Sequence, residues 1–318
     1  MIYNILIIGA GQLGSRYLEG LAKSKLYLKI IVLDKSSISI KKAKKKWILL
    51  NKNSQQRKIS WHYKLPPKIS KYDLVIVSTT SFGRAKLISD ISKKVYVKYW
   101  ILEKLLAQSV KELDLICSST SNSINAFVNT PRRAMKWYKN IKSQLLNKQI
   151  KKVFNNDNKW GLACNAIHYI DLVTWLSGKS IVSVSTKNLK KKWFKSKRND
   201  YYEIDGELIV KFQDGIELFM RSNPNLKKNL RINFSDKSCY FIDEVKGIAS
   251  LNYKKKFLGK IEYQSEMTSS LIQKILIDGY CDLPILSESI TQHKKLITSL
   301  LKHWNKVNNC KSSLLPVT

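Results

Sequence analysis

Acidic residues are scarce in this chain of 318: 23 Asp and Glu stand against 57 Lys and Arg, a formal net charge of +34 at pH 7. Such an imbalance invites a polyanion as partner. Arginine is scarce as well, however, and it is arginine's planar fork that phosphate and base-edge readout favour. The lysines are spread along the chain, in "KKAKKKW" (41–47), "LKKKWFKSKR" (189–198), "LKKNLR" (226–231) and "YKKKFLGK" (253–260). They read as solvated faces and loops, so nucleic acid is not the expected partner despite the charge; steering of a phosphorylated substrate fits better. Cysteine is sparse: five residues at 117, 164, 239, 281 and 310, without a CxxC pair. That spacing excludes a disulfide framework and a zinc site, and no metal is expected. No apolar run reaches the roughly 18 to 20 residues of a membrane-spanning helix. The opening "MIYNILIIGAG" has no basic lead and no small-residue cleavage site, so it reads as a buried strand of a cytoplasmic protein rather than a signal peptide. Hydrophobic residues still make up 44% and aromatics 10% of the chain, enough for folded cores, and the length suggests two domains.

The first motif lies at the N-terminus. "IYNILIIGAGQLGSRYLEGLAK" passes from an apolar strand through Gly9, Gly11 and Gly14 into a helical pattern marked by Leu13, Tyr17, Leu18 and Leu21. Gly-x-Gly-x-x-Gly is weak by itself and becomes informative with a strand before it and a helix after it. Gly9 allows the tight turn, Gly11 lets backbone approach a pyrophosphate, and Gly14 lets helix and sheet pack closely. Gln12 and Leu13 stand within the motif, where the helix N-terminus offers N–H groups to phosphates. A second strand, "LKIIVLD" (28–34), ends in Asp34, placed to accept hydrogen bonds from an adenosine ribose. A carboxylate there repels a 2′-phosphate, so NAD is preferred to NADP, with Lys35 and Ser36 leaving NADP as the minority outcome. "YDLVIVSTTSFGRAK" (72–86) is another buried strand, and it breaks at Thr79 and Thr80 where such folds close over the cofactor. A further strand, "WILEK", brings Glu103 and Lys104 to its C-terminal end, the edge where open α/β sheets bind ligands.

The Ser- and Asn-rich "CSSTSNSIN" (117–125) suggests a boundary, with domains at 1–120 and 121–318. Beyond it, "SIVSVST" (180–186), "GELIVKF" (206–212), "GIELFMR" (215–221), "LRINFS" (230–235) and "CYFIDE" (239–244) read as strands. Asp214-Gly215 between two of them is a hairpin signal. "NLKKKWFKSKRNDYY" (188–202) reads as a long basic loop. In "CNAIHYIDL" (164–172), His168 and Asp171 are three apart and share one side of a helix.

Together these segments resemble the glucose-fructose oxidoreductase / inositol dehydrogenase (Gfo/Idh/MocA) family. The resemblance runs through "GAGQLG", the "LEK" after a strand, "NAFVNTPRRAMKWYKNIK" (125–142), "AIHYIDLVTWLSG" (166–178), "YEIDGELIVKFQDGIELFM" (202–220) and "LPILSESITQHKKLITSLLKHWN" (283–305). It implies an α/β protein: an N-terminal Rossmann domain with a doubly wound parallel sheet, and a C-terminal α+β domain with an open, mostly antiparallel sheet. It also implies hydride transfer between a nicotinamide and a sugar or nucleotide-sugar, and a homo-oligomer. The "CN" before "AIHYIDL" and the closing segment look most like members from surface-polysaccharide gene clusters.

By position, the family's catalytic lysine is Lys104 and its helix histidine is His168, standing near the nicotinamide. Glu103 joins the cofactor contacts. Two family residues are replaced: Cys164 occupies the place of an aspartate and Leu105 that of the proline after the lysine. A non-proline cis bond costs about 2.5 to 4 kcal/mol, so the Lys104–Leu105 bond is expected to be trans. Arg132 and Arg133 suit an anionic substrate through bidentate hydrogen bonds. Asn129 and Asn165 suit substrate hydroxyls. Cys164 and Asp171 complete the candidate substrate contacts, with Asp171 the weaker as an acid–base group because its spacing from His168 differs from the family's. The two replacements leave open a cofactor-binding scaffold protein without turnover, and the charge leaves open a nucleic-acid binder.

Overall fold

A computed structural model of the protein describes residues 1–51, 56–67, 70–158 and 160–318. The chain forms two compact units. The first comprises Met1–Ala107, Lys111–Asn129 and Glu262–Ser287; the second comprises Gln108–Val110, Thr130–Ile261 and Glu288–Thr318.

The first unit is built on six parallel strands: β1 (Ile2–Ile8), β2 (Tyr27–Leu33), β3 (Arg57–His62), β4 (Lys71–Val77), β5 (Tyr96–Glu103) and β6 (Asn125–Asn129). Their order is β3-β2-β1-β4-β5-β6. Residues 5–8 of β1 and 74–77 of β4 are buried throughout, as expected of parallel strands covered on both faces. The crossover helices are α1 (Gln12–Leu21), α2 (Ser37–Leu50), α3 (Arg84–Ser92) and α4 (Val110–Thr120). The strand order reverses beside β1, so the C-terminal ends of β1 and β4 form a switch point, where this architecture binds ligands.

These units differ from a single cut at residue 120. The stretch 117–125 is not a linker: it closes α4 and opens β6, which pairs with β5 through Glu103 and Asn129. A late segment, α7 (Gln264–Asp278), also returns to the first unit. It packs on α1 at Gly20, where a Cβ would overlap the Thr268 side chain. A glycine there allows the two helices to approach, a contact far apart in sequence.

The second unit carries an eight-stranded sheet: β7 (Ile150–Asp157), β8 (Ile181–Lys195), β9 (Tyr202–Phe212), β10 (Glu217–Ser222), β11 (Asn229–Phe234), β12 (Cys239–Asp243), β13 (Ile248–Leu251) and β14 (Lys255–Leu258). The order is β14-β13-β12-β11-β7-β10-β9-β8, antiparallel except for the β7–β10 pair. Its helices are α5 (Lys136–Gln144), α6 (Leu162–Ser177) and α8 (Leu286–Val307). The β9–β10 hairpin turns at Asp214 and Gly215, with φ of +58° and +70°, the positive values that this Asp-Gly pair favours. The basic segment 188–202 is largely strand rather than loop. β8 continues to Lys195: Leu189 and Trp193 are buried, Trp193 against His303 and Trp304, while Lys190, Lys191 and Lys192 stay exposed.

Candidate active site

In the first unit, β1 ends and the backbone turns at Gly9, with φ of +100°. A Cβ there would press on Ser78 and Thr79 at 3.1 to 3.2 Å. At Gly14 a Cβ would overlap the Gly9 carbonyl, so helix and strand lie closer than any other residue permits. Gly11 differs: nothing stands within 4 Å of a Cβ built on it, and its backbone is open to approach. Gln12, exposed, and Leu13, half-buried, begin α1, where free N–H groups and the helix dipole favour an anion. Asp34, just beyond β2, is fixed by two backbone donors: Ala10 N–H reaches Oδ2 at 2.6 Å and Ser36 N–H reaches Oδ1 at 2.7 Å. Gly9, Asp34 and Thr79 meet in one cavity of about 380 Å³, whose wall also includes Lys35, Tyr63 and Lys64. The buried Thr79 hydroxyl has no hydrogen-bond partner among the described residues, as a group awaiting a ligand would. Thr80 is exposed and outside that lining. An open glycine backbone, a helix N-terminus, an oriented carboxylate and an unsatisfied hydroxyl together fit a dinucleotide.

At the end of β5 the expectations need correction. Glu103 is buried and stands outside the lining of that cavity. It is 4% exposed and accepts hydrogen bonds from Tyr17 Oη and Asn129 Nδ2, both at 2.6 Å. Burial raises its pKa, against these two bonds and the nearby cations Arg84 and Lys104. Asn129 is likewise buried: its amide nitrogen also donates to Gln264 Oε1 at 2.8 Å, while its Oδ1 has no hydrogen-bond partner among the described residues. The Lys104–Leu105 peptide is cis, not trans. Arg84, a buried side chain, donates to the carbonyls of Glu103, Leu105 and Leu106 and holds the backbone on both sides of Lys104. Lys104 itself is half-buried.

In the second unit, Gly161 with φ of +68° leads into α6. The buried Glu203 of β9 accepts from the backbone N–H of Ala163 at 2.8 Å and of Cys164 at 3.2 Å. A carboxylate therefore caps the positive end of the helix that carries the candidate residues. Cys164, Asn165 and His168 form a half-exposed stripe on α6. The Asn165 amide already donates to the Trp160 carbonyl at 2.5 Å.

Asp171 does not share that stripe and is not a substrate contact: it is fully buried, with Arg133 Nε 3.4 Å from its Oδ2. Burial raises Asp171 to about 6, opposed chiefly by the charge of Arg133. Arg133 also pairs with Glu288 at 3.0 Å, so its fork is taken by two carboxylates of its own unit. Arg132 is taken as well. It reaches both oxygens of Glu244, at 2.8 and 3.2 Å, and lies 4.2 Å from the centre of the Tyr169 ring. Tyr138 Oη donates to Glu244 at 2.6 Å and Lys228 Nζ stands 3.2 Å from it. Neither arginine is available as the expected anion grip.

Arg84, Tyr17, Gln264, Glu203 and Glu244 escaped the sequence reading. Their partners lie on other elements, and no local pattern in the sequence records them.

A glycine-lined cradle at the switch point of a doubly wound sheet, in a chain that also folds an open mixed sheet, defines the architecture of the Gfo/Idh/MocA-type dehydrogenases. The chain has that fold. The UDP-N-acetylglucosamine 3-dehydrogenase GnnA from Acidithiobacillus ferrooxidans superposes with a TM-score of 0.67 at 12% identity, over 95% of this chain and 97% of that one. A scyllo-inositol dehydrogenase from Lactobacillus casei, with bound NAD(H) and scyllo-inositol, superposes at 0.65 and 16% identity, over 96% and 98%. An Agrobacterium radiobacter oxidoreductase in complex with NAD+, L-tartaric acid and magnesium gives 0.67 and 12%, over 98% and 96%. Residues 5–102 match the family described as ketopantoate reductase PanE/ApbA. No curated protein matches the chain by sequence.

Proposed function

We propose that this protein is an NAD(P)-dependent oxidoreductase that transfers a hydride between nicotinamide and a hydroxyl or keto carbon of a sugar or nucleotide-sugar, in surface-polysaccharide biosynthesis in the cytoplasm. The observation that carries the reading is the convergence of Gly9, Asp34 and Thr79 on one cavity beside an open Gly11 backbone. The bound polyol of the scyllo-inositol dehydrogenase and the nucleotide-sugar named for GnnA support the substrate class. Among the described residues no helix is long and apolar enough to cross a membrane.

The nicotinamide, when bound, would supply the hydride acceptor or donor. Gly11 and the first turn of α1 would hold its pyrophosphate, Asp34 its adenosine ribose. Lys104 supplies positive charge for the oxygen of the reacting carbon, and the His168 imidazole takes or returns the hydroxyl proton near neutral pH. Cys164 and Asn165, on the same stripe as His168, are the remaining substrate contacts of the proposal.

NAD is the preferred form, because the Asp34 carboxylate repels a 2′-phosphate. Thermal unfolding with NADH, with NADPH and without addition tests the cofactor site. NADH at about 100 times its dissociation constant adds about 2.7 kcal/mol of stability. The Asp34→Ala variant is expected to lose the NADH shift. No shift of the natural sequence with either cofactor would end the dehydrogenase reading.

The proposal includes a homo-oligomer. One face of the second sheet carries half-buried Phe154 and Phe219, stacked at 5.0 Å and flanked by Arg221 and Arg231. Light scattering coupled to size exclusion is expected to give a mass of at least two chains, and Phe154→Glu is expected to reduce it to one. A natural-sequence monomer at micromolar concentration removes this part of the proposal.

A further inference from the structure

Arg84 is the first residue of α3, directly after Gly83 with φ of +69°. It is 1% exposed, among the largest fully buried side chains of the protein. Its guanidinium donates to the Thr79 carbonyl beyond β4, to the carbonyl of Glu103 at the end of β5 and to those of Leu105 and Leu106 just after it, the last at 3.2 Å. Thr79 and Arg84 both line the cavity that contains Gly9 and Asp34. Glu103 and Leu105 flank Lys104 on either side. One rigid, planar group therefore joins the cofactor cavity wall to the backbone that aims Lys104.

Glu103, on the N-terminal side of Lys104, is anchored by Tyr17 and Asn129; Leu105, Leu106 and Ala107, on the other side, are fully buried. Within this braced segment only the Lys104 side chain remains partly accessible. We propose that Arg84 is a positioning residue: it sets the aim of Lys104 and transmits the occupancy of the cofactor cavity to it. The inference rests on the reading of that cavity as a nicotinamide dinucleotide site and of Lys104 as a substrate-side group.

The test measures the acetylation rate of Lys104 by an N-hydroxysuccinimide ester in the full chain, read by peptide mass spectrometry against exposed lysines as internal references. Each protein is measured without NADH and with NADH at saturation by its own dissociation constant. In the natural sequence NADH is expected to change the Lys104 rate by about fivefold or more, the low end of coupling between sites. In Arg84→Met that response is expected to disappear, and in Arg84→Lys to return in part. An undiminished response in Arg84→Met overturns the proposal, because it would then reflect direct shielding by the nucleotide alone.

If the natural sequence binds no NADH, the cofactor reading fails separately, and the comparison is made in the free proteins. A Lys104 rate in Arg84→Met equal to that of the natural sequence then overturns the positioning role, and a rate altered relative to the reference lysines supports it. Should Arg84→Met fail to fold, Arg84→Lys carries both comparisons, since a point charge cannot reach four carbonyls as the fork does.

Discussion

Replacing Lys104 or His168 by alanine is expected to lower kcat of the proposed hydride transfer by about 10²- to 10⁴-fold, the range for a positioned acid–base group. Two features of burial single these residues out. In the stretch Glu103–Ala107 every residue but Lys104 is buried, so the amine is the one chemical group that the end of β5 offers. Along α6, residues 166–173 are all buried except His168. A packing residue would show the opposite pattern. NADH formation followed by absorbance, with NADH affinity measured separately, checks the prediction. A variant that binds NADH and keeps the kcat of the natural sequence would remove that residue from the mechanism. Loss of NADH binding in both variants would instead mean that they damage the cofactor cradle.

The second large effect concerns stability. The Glu244 side chain is 5% exposed, and burial by itself would raise its pKa; Arg132 first, then Tyr138 and Lys228, overcome this and hold it at about 2. Glu244→Ala leaves the Arg132 guanidinium buried without its partner, and breaking a buried pair in this way costs about 3 to 5 kcal/mol. The pH dependence follows from the depressed value. The folded carboxylate titrates near 2 and the unfolded one near 4.5, so this contribution is complete above 4.5 and is lost as the pH falls from there toward 2. At 1.36 kcal/mol per unit the interval corresponds to about 3 kcal/mol, in line with the cost of breaking the pair. Urea unfolding at neutral pH and at acid pH checks both numbers. Glu244→Gln is expected to be less stable at neutral pH and to lose less than the natural sequence on acidification. Equal acid sensitivity of the two proteins would place the stabilising charge elsewhere.

What could be read from the sequence was local. The turn at Gly9, the close approach at Gly14 and the open backbone at Gly11 depend on residues a few positions apart, and glycine is the residue that permits each of them. Asp34 was legible because one helix and one strand set the interval from the glycine motif. The Asp214-Gly215 turn was legible because its chemistry is confined to the turn itself. The parallel sheet followed from its continuously buried strands, whereas the open, mostly antiparallel second sheet was implied by the family resemblance.

Tertiary structure decided everything that depends on a partner remote in sequence. A free arginine and an arginine held by Glu244, 112 residues away, look alike as letters. So do an Asp on the face of His168 and an Asp171 turned into the core against Arg133. The return of α7 to the first unit brings Thr268 against Gly20 and Gln264 against Asn129, partners more than a hundred residues apart. The Lys104–Leu105 bond, expected from the missing proline to be trans, is cis, and Arg84 reaches the carbonyls on either side of Lys104 from another element. Periodicity and spacing specify which backbone conformations are possible; only the packed chain determines which charges meet, because burial makes an ion pair obligatory and sequence does not record who is buried beside whom.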